Sequence, residues 1–225
     1  MAEKDCKLGV LAFGDSITNG GGELQWGVAL QSWAQWLARG LGLPLTNYAV
    51  DGARAEDVVE RQIPAFLERS ARTDARYDVG CLYVGVNDVR DPGFDAAAFE
   101  PRFRDAVAFL EERCDRTLAL TAPLWLGVPR TPVERVRELN QAIARAAPLV
   151  VDLSDFKARN HVMADRVHPS AFGQIAIAER ALHVLGDEPK VWPSALIEYE
   201  TTGWHRLRGD ATYVYRYLKR ALPPR

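Results

Sequence analysis

Cysteine is scarce in this sequence: Cys6, Cys81 and Cys114 are odd in number, far apart and outside any CxxC pair. That spacing excludes a disulfide framework and fits free thiols in a reducing compartment. Lysine is scarce too, five against 23 arginines, and the basic residues are scattered rather than blocked together. With 28 basic and 30 acidic residues the net charge is −2, so no footprint for nucleic acid forms. Long apolar runs are also missing. Nothing approaches the roughly 18 apolar residues of a membrane span. The opening "MAEKDCKLGVLAF" carries an apolar run of only about seven residues and no small-residue cleavage site, which argues against a signal peptide. A cytoplasmic protein without a membrane span is the expectation.

What is present is an alternation of short β-type runs with longer helical ones. The expected strands are 7–13, 45–50, 78–85, 116–122 and 148–154. The third, "DVGCLYVG", is nearly continuous in apolar residues, as in a strand covered on both faces. Helices are expected near 28–41, 54–70, 95–114, 131–146 and 169–185. In the first, Val28, Leu30, Trp33, Trp36 and Leu37 share an apolar face, and Gly40, Gly42 and Pro44 supply the stop. Pro64 predicts a kink near residue 63. Pro132 fits a first helical turn, with Thr131 as its cap. Five β–α units in succession give an α/β fold, a flavodoxin-like three-layer α/β/α sandwich on a five-stranded parallel sheet. This domain spans 1–186. Residues 187–225 form a C-terminal extension without clear periodicity until a helix at about 210–222. Tyr213, Tyr217 and Leu218 share a face there, so this segment packs on the body or on a partner subunit, making a homo-oligomer one expected assembly.

Ligand sites in open α/β sheets lie outside the carboxyl ends of the strands. The polar residues that follow the strands are therefore the candidates. Gly14-Asp15-Ser16 follows the first strand, and Asn47 and then Gly52 follow the second. Gly85-Val86-Asn87-Asp88 follows the third, and "ADRVHPSAFG", with Asp165 and His168, follows the fifth. These types suit acyl transfer. A serine hydroxyl needs an imidazole to take its proton, and an aspartate can hold that ring in the right tautomer. The Ser16 and Gly52 backbone N–H groups and the Asn87 amide are candidate oxyanion donors. Glycine at 52 lets a substrate oxygen approach its N–H closely.

"GDSIT", Gly52 in "NYAVDGARAEDV", "GVND" and "DRVHPSAFG" resemble, in this order, the four blocks of the SGNH (GDSL-type) hydrolase family. The resemblance covers roughly residues 8 to 186. It implies a Ser–His–Asp esterase with Ser16, Asp165 and His168 as the catalytic residues and Ser16, Gly52 and Asn87 as the oxyanion hole. The expected substrate is a small-molecule ester, either a small acyl ester or a lysolipid-like one, and no cofactor is expected.

Each residue also has an ordinary reading. Ser16 would serve equally as a helix N-cap, Asn87-Asp88 as a plain turn, and Asp15 as a structural partner of neighbouring loops. His161, His183 and His205 have no block around them and read as structural or surface residues. The loop "NGGGELQWG" matches neither GxGxxG nor a P-loop, so it reads as a mobile loop flanking the acyl pocket rather than a phosphate cradle. Trp26 in that loop, and Trp125 after the fourth strand, are candidate walls of a substrate pocket. Asp165 and His168 lack the further ligands a metal requires, so no metal is expected. An acyltransferase on the same machinery, or a non-catalytic binding module with this fold, are the competing functions.

Overall fold

The computed structural model of the chain describes residues 8–22, 28, 30–70, 76–186, 188–197 and 203–221. Five strands, β1 (Val10–Gly14), β2 (Leu45–Asn47), β3 (Tyr77–Tyr83), β4 (Cys114–Leu120) and β5 (Leu149–Val151), form one sheet in the order β2-β1-β3-β4-β5. Every pairing is parallel, with Val10 opposite both Leu45 and Val79. This is the doubly wound order in which the winding reverses between β1 and β3, the place where a crevice opens at the carboxyl edge.

The strands form because their apolar residues are continuous. All five residues of β1 and six of seven in β3 are buried, as both faces are covered by helices. On one face α2 (Trp33–Leu41) packs against α8 (Ala171–Leu185). On the other lie α3 (Ala55–Asp57), α4 (Ile63–Ser70), α6 (Ala96–Arg113) and α7 (Val133–Ala146). Trp33, Trp36 and Leu37 turn inward from α2, whose ends are fixed by the Ser32 side chain and by Gly42 at φ +68°. Burying side chains of this size stabilises by about 1.5–3 kcal/mol each.

Three local readings change. Between α3 and α4 the chain widens into a π-helical stretch, Val58–Gln62, and the Ile63 N–H reaches back to the Val58 carbonyl. Pro64 has no N–H to donate, so the helix enters it through this wider turn instead of a simple kink. Helix α7 starts at Val133 with Pro132 itself at the cap. Thr131 is buried, and its N–H goes to the Leu126 carbonyl. It makes no cap because Pro132, at φ −54° and ψ 128°, is still extended. The last helix, α9 (Gly203–Ala221), starts earlier than its sequence suggests. Its Tyr213 ring lies under Arg159 and its Tyr217 ring under Arg166, and Asp210 pairs with Arg159. Leu218 does not share that contact: at 51% exposure it points to water. Among the described residues no helix is long and apolar enough to cross a membrane.

Candidate active site

The chain leaves β1 into α1 (Ser16–Asn19), a single turn. Asp15 is its N-cap, and Asp15 Oδ1 accepts the Ile17 N–H at 2.9 Å. The capping role open to Ser16 is therefore taken by its neighbour, and the Ser16 hydroxyl is free to point elsewhere. It lies 2.9 Å from Nε2 of His168, 152 residues later in the chain.

Buried amides hold this turn. Gln62 accepts the Gly14 N–H at 3.0 Å and donates to the Gly14 carbonyl at 2.8 Å. Gln174, wholly buried on α8, donates to the carbonyls of Ile17 and Gly21 and accepts the Trp33 N–H. Trp33 Nε1–H donates to Thr18 Oγ1, and Asn47 Nδ2 donates to the Thr18 carbonyl. Gly21 closes the turn by donating its N–H to the Ser16 carbonyl. A Cβ added there would stand 2.8 Å from that oxygen and 3.2 Å from His168 Cδ2, so only glycine fits beside the imidazole.

The imidazole side is organised differently. Asp165 Oδ2 meets His168 Nδ1 at 2.8 Å, while Oδ1 accepts the backbone N–H groups of Val167 and His168. The loop is closed by Met163 N–H to the His168 carbonyl and by a bridge between Val162 and Pro169. Ser170 then caps α8 by accepting the Gly173 N–H. Between Asp165 and His168, Arg166 adopts φ +55°, a left-handed conformation rare for a side chain of its size. Its guanidinium lies over both Trp125, at 5.2 Å, and Tyr217, at 4.8 Å.

Electrostatics separates the carboxyls. Partial burial works to raise Asp165, but the His168 ring, two backbone N–H groups and the imidazole's charge hold it well below the usual range. It is an acceptor at any working pH and fixes the ring with Nδ1–H toward itself and Nε2 toward the serine. Asp15 is pushed up to about 7, chiefly by burial, and its Oδ2 has no hydrogen-bond partner. Burial likewise pushes Asp88 up to about 6.

The Gly52 segment is tied to the serine turn by Asn19, whose amide donates to Asp51 Oδ1 at 2.9 Å, and to the Asn87 segment through Ala53. Gly52 sits at φ +78° with open space where a Cβ would be. Asn87, on α5 (Val86–Arg90), donates one amide hydrogen to the Ala53 carbonyl at 3.0 Å, and Asp88 Oδ1 accepts the Ala55 N–H. An amide nitrogen has two hydrogens, so Asn87 keeps one to offer. Trp125 is 44% exposed and lines a cavity of about 300 Å³ with Phe156, Lys157, Arg159, Arg166 and Tyr213. Trp26 lies outside the described residues. His161 stacks on Phe156 and His183 tilts against Trp192. Among the described residues no group of three or more potential metal ligands is found. Sequence reading missed Gln62, Gln174, Gly21 and Arg166. Gln174 left a faint signal, a lone amide in the apolar run "AFGQIAIA".

A doubly wound parallel sheet covered by helices on both faces, with Ser16, His168 and Asp165 hydrogen-bonded in line, defines a class of fold, the three-layer α/β proteins. Residues 12–175 match the model of the GDSL-like lipase/acylhydrolase family, and the chain belongs to that family. It is a carboxylic ester hydrolase. A search of the curated proteins found no match. Solved structures with the same fold include Axe2, an acetylxylan esterase from Geobacillus stearothermophilus, at 20% identity and TM-score 0.60, covering 83% of this chain and 98% of that one. LAE5, an α/β hydrolase enzyme from the metagenome of Lake Arreo, Spain, matches at 20% identity and TM-score 0.60 over 80% of this chain and 95% of its own. TesA matches at 19% identity and TM-score 0.61 over 79% of this chain and 97% of its own.

Proposed function

We propose that the protein is a serine esterase that hydrolyses a short acyl or lysolipid-like ester through an acyl-enzyme. The observation that carries this reading is the unbroken chain from Ser16 Oγ to His168 Nε2 at 2.9 Å and from His168 Nδ1 to Asp165 at 2.8 Å. His168 takes the Ser16 proton as Oγ attacks the ester carbonyl carbon. The Ser16 and Gly52 N–H groups and the spare Asn87 hydrogen receive the oxyanion. Collapse breaks the ester bond, and His168 returns the proton to the departing alcohol. Water then repeats the sequence on the acyl-serine, releasing the acid. Structures of Axe2 include catalytic mutants that replace a serine, an aspartate and a histidine, the aspartate three residues before the histidine. Asp165 and His168 have the same spacing. Cys81 and Cys114 are free thiols, which fits the cytoplasm as working compartment.

The test is hydrolysis of p-nitrophenyl esters of increasing chain length by the protein and by Ser16→Ala. The expected result is turnover by the parent, loss in the variant, and a maximum at short or medium chains. Equal rates for both proteins, or silence in both across the series, would overturn the assignment.

A further inference from the structure

Helix α9 touches the rest of the chain along one well-defined side. Asp210, Tyr213 and Tyr217 meet Arg159 and Arg166 there. Trp204, Leu207, Ala211, Val214 and Leu218 recur at steps of three and four residues, so they line a second stripe. At 3.6 residues per turn this stripe lies roughly 100° around the helix from the first. Trp204 is 68% exposed, and Leu207, Val214, Tyr215 and Leu218 are each at least half exposed. Apolar side chains in such an arrangement mark a surface that something covers.

Charge decides what covers it. The sequence of α9 carries Arg206, Arg208, Arg216, Lys219 and Arg220 against a single acid, Asp210, which is already paired with Arg159. Arg208 and Lys219 are exposed, and their helical positions border the apolar stripe. A second copy of the chain would bring the same positive excess to the contact, whereas anionic headgroups would neutralise it. We propose that α9 seats the protein on an anionic lipid surface, its apolar stripe entering the headgroup–acyl boundary and Arg208 and Lys219 meeting lipid phosphates. The same helix grips Arg166, the neighbour of Asp165, so seating it brings the loop of the reacting imidazole to the membrane. The substrate class that follows is an ester presented at the lipid surface, a refinement that rests on the esterase reading above.

The experiment is co-sedimentation of the full chain with vesicles of pure phosphatidylcholine and of phosphatidylcholine mixed with phosphatidylglycerol. Hydrolysis of soluble p-nitrophenyl acetate is followed in parallel. The expected result is binding to the mixed vesicles roughly tenfold or more tighter than to the neutral ones, weakening as salt is added. The double variant Leu207→Glu, Leu218→Glu should lose roughly tenfold or more of that binding while hydrolysing p-nitrophenyl acetate as the parent does. Absence of binding, equal binding to both vesicles, or full binding by the variant would each overturn the proposal. A dimer on size exclusion that the variant dissolves, without vesicle binding, would overturn it in favour of a second copy. Vesicle binding by a protein silent on every soluble ester supports the docking and sinks the esterase reading instead.

Discussion

Two aspartates flank the hydrogen-bonded pair Ser16–His168, and their surroundings push them in opposite directions. Asp15, beside Ser16, is fully buried with one oxygen unpartnered among the described residues, and burial raises it to about 7. Asp165, beside the imidazole, is ringed by donors and held low despite partial burial. The contrast extends to the segments that carry them. The serine turn is clamped from outside by amides on distant elements, Gln62 and Gln174. The histidine loop is tied mainly to itself, through Asp165 and the closing bonds at Met163 and Ser170. Rigidity near the hydroxyl comes from the core, and near the ring from a local turn. One aspartate shapes a backbone; the other orients a base.

Four measurements would break or sharpen that contrast. The largest effect belongs to the reacting groups: Ser16→Ala or His168→Ala should lower kcat/KM on a p-nitrophenyl ester by roughly 10⁴ to 10⁶, and Asp165→Asn by about 10⁴. Asn87→Ala should lower kcat by roughly 10² to 10³, the usual worth of one oxyanion donor, with KM little changed. Gln174→Ala should act on stability, because it strands the buried Trp33 N–H and the Ile17 carbonyl. A loss of about 2 kcal/mol or more in urea unfolding is expected, and an unchanged midpoint would mean the clamp is unimportant. The smallest effect is on pH dependence. Asp15 in the folded state keeps a proton that the unfolded chain gives up near 3.8, so its contribution to stability falls as pH rises from there to about 7. Asp15→Asn should therefore gain in Tm relative to the parent across that window. Asp165, with its folded value depressed, stabilises above 3.8 and loses that contribution as pH falls below it. Asp165→Asn should accordingly approach the parent's Tm only in acid. Parallel trends for the two variants would dissolve the distinction drawn between them.

Much of this was legible in the sequence because it depends on local pattern. Apolar runs of five to seven residues between amphipathic stretches give the sheet and its helices, and the residues just past each strand end are confined to one edge. Ser16, Gly52, Asn87, Asp165 and His168 are each found by position after a strand. What stayed hidden depends on partners far away in sequence. Gln62 and Gln174 look like ordinary helical amides until the fold places Gly14 and Ile17 against them. The π-helical widening before Pro64 is a compromise between a missing donor and a packed helix face, and a kink was the simpler reading. Helical spacing alone puts Leu218 on one face with Tyr213 and Tyr217, whereas α9 has two distinct stripes and Leu218 lies on the exposed one.

The 152 residues between hydroxyl and imidazole have a consequence for the newborn chain. Ser16 leaves the ribosome 152 residues ahead of the imidazole it meets in the folded chain. Until α8 has docked and Gln174 has reached back to the serine turn, an emerging chain holds a bare alcohol and no means of deprotonating it. Under the proposed mechanism, esterolytic competence arrives all at once, as a by-product of finishing the fold.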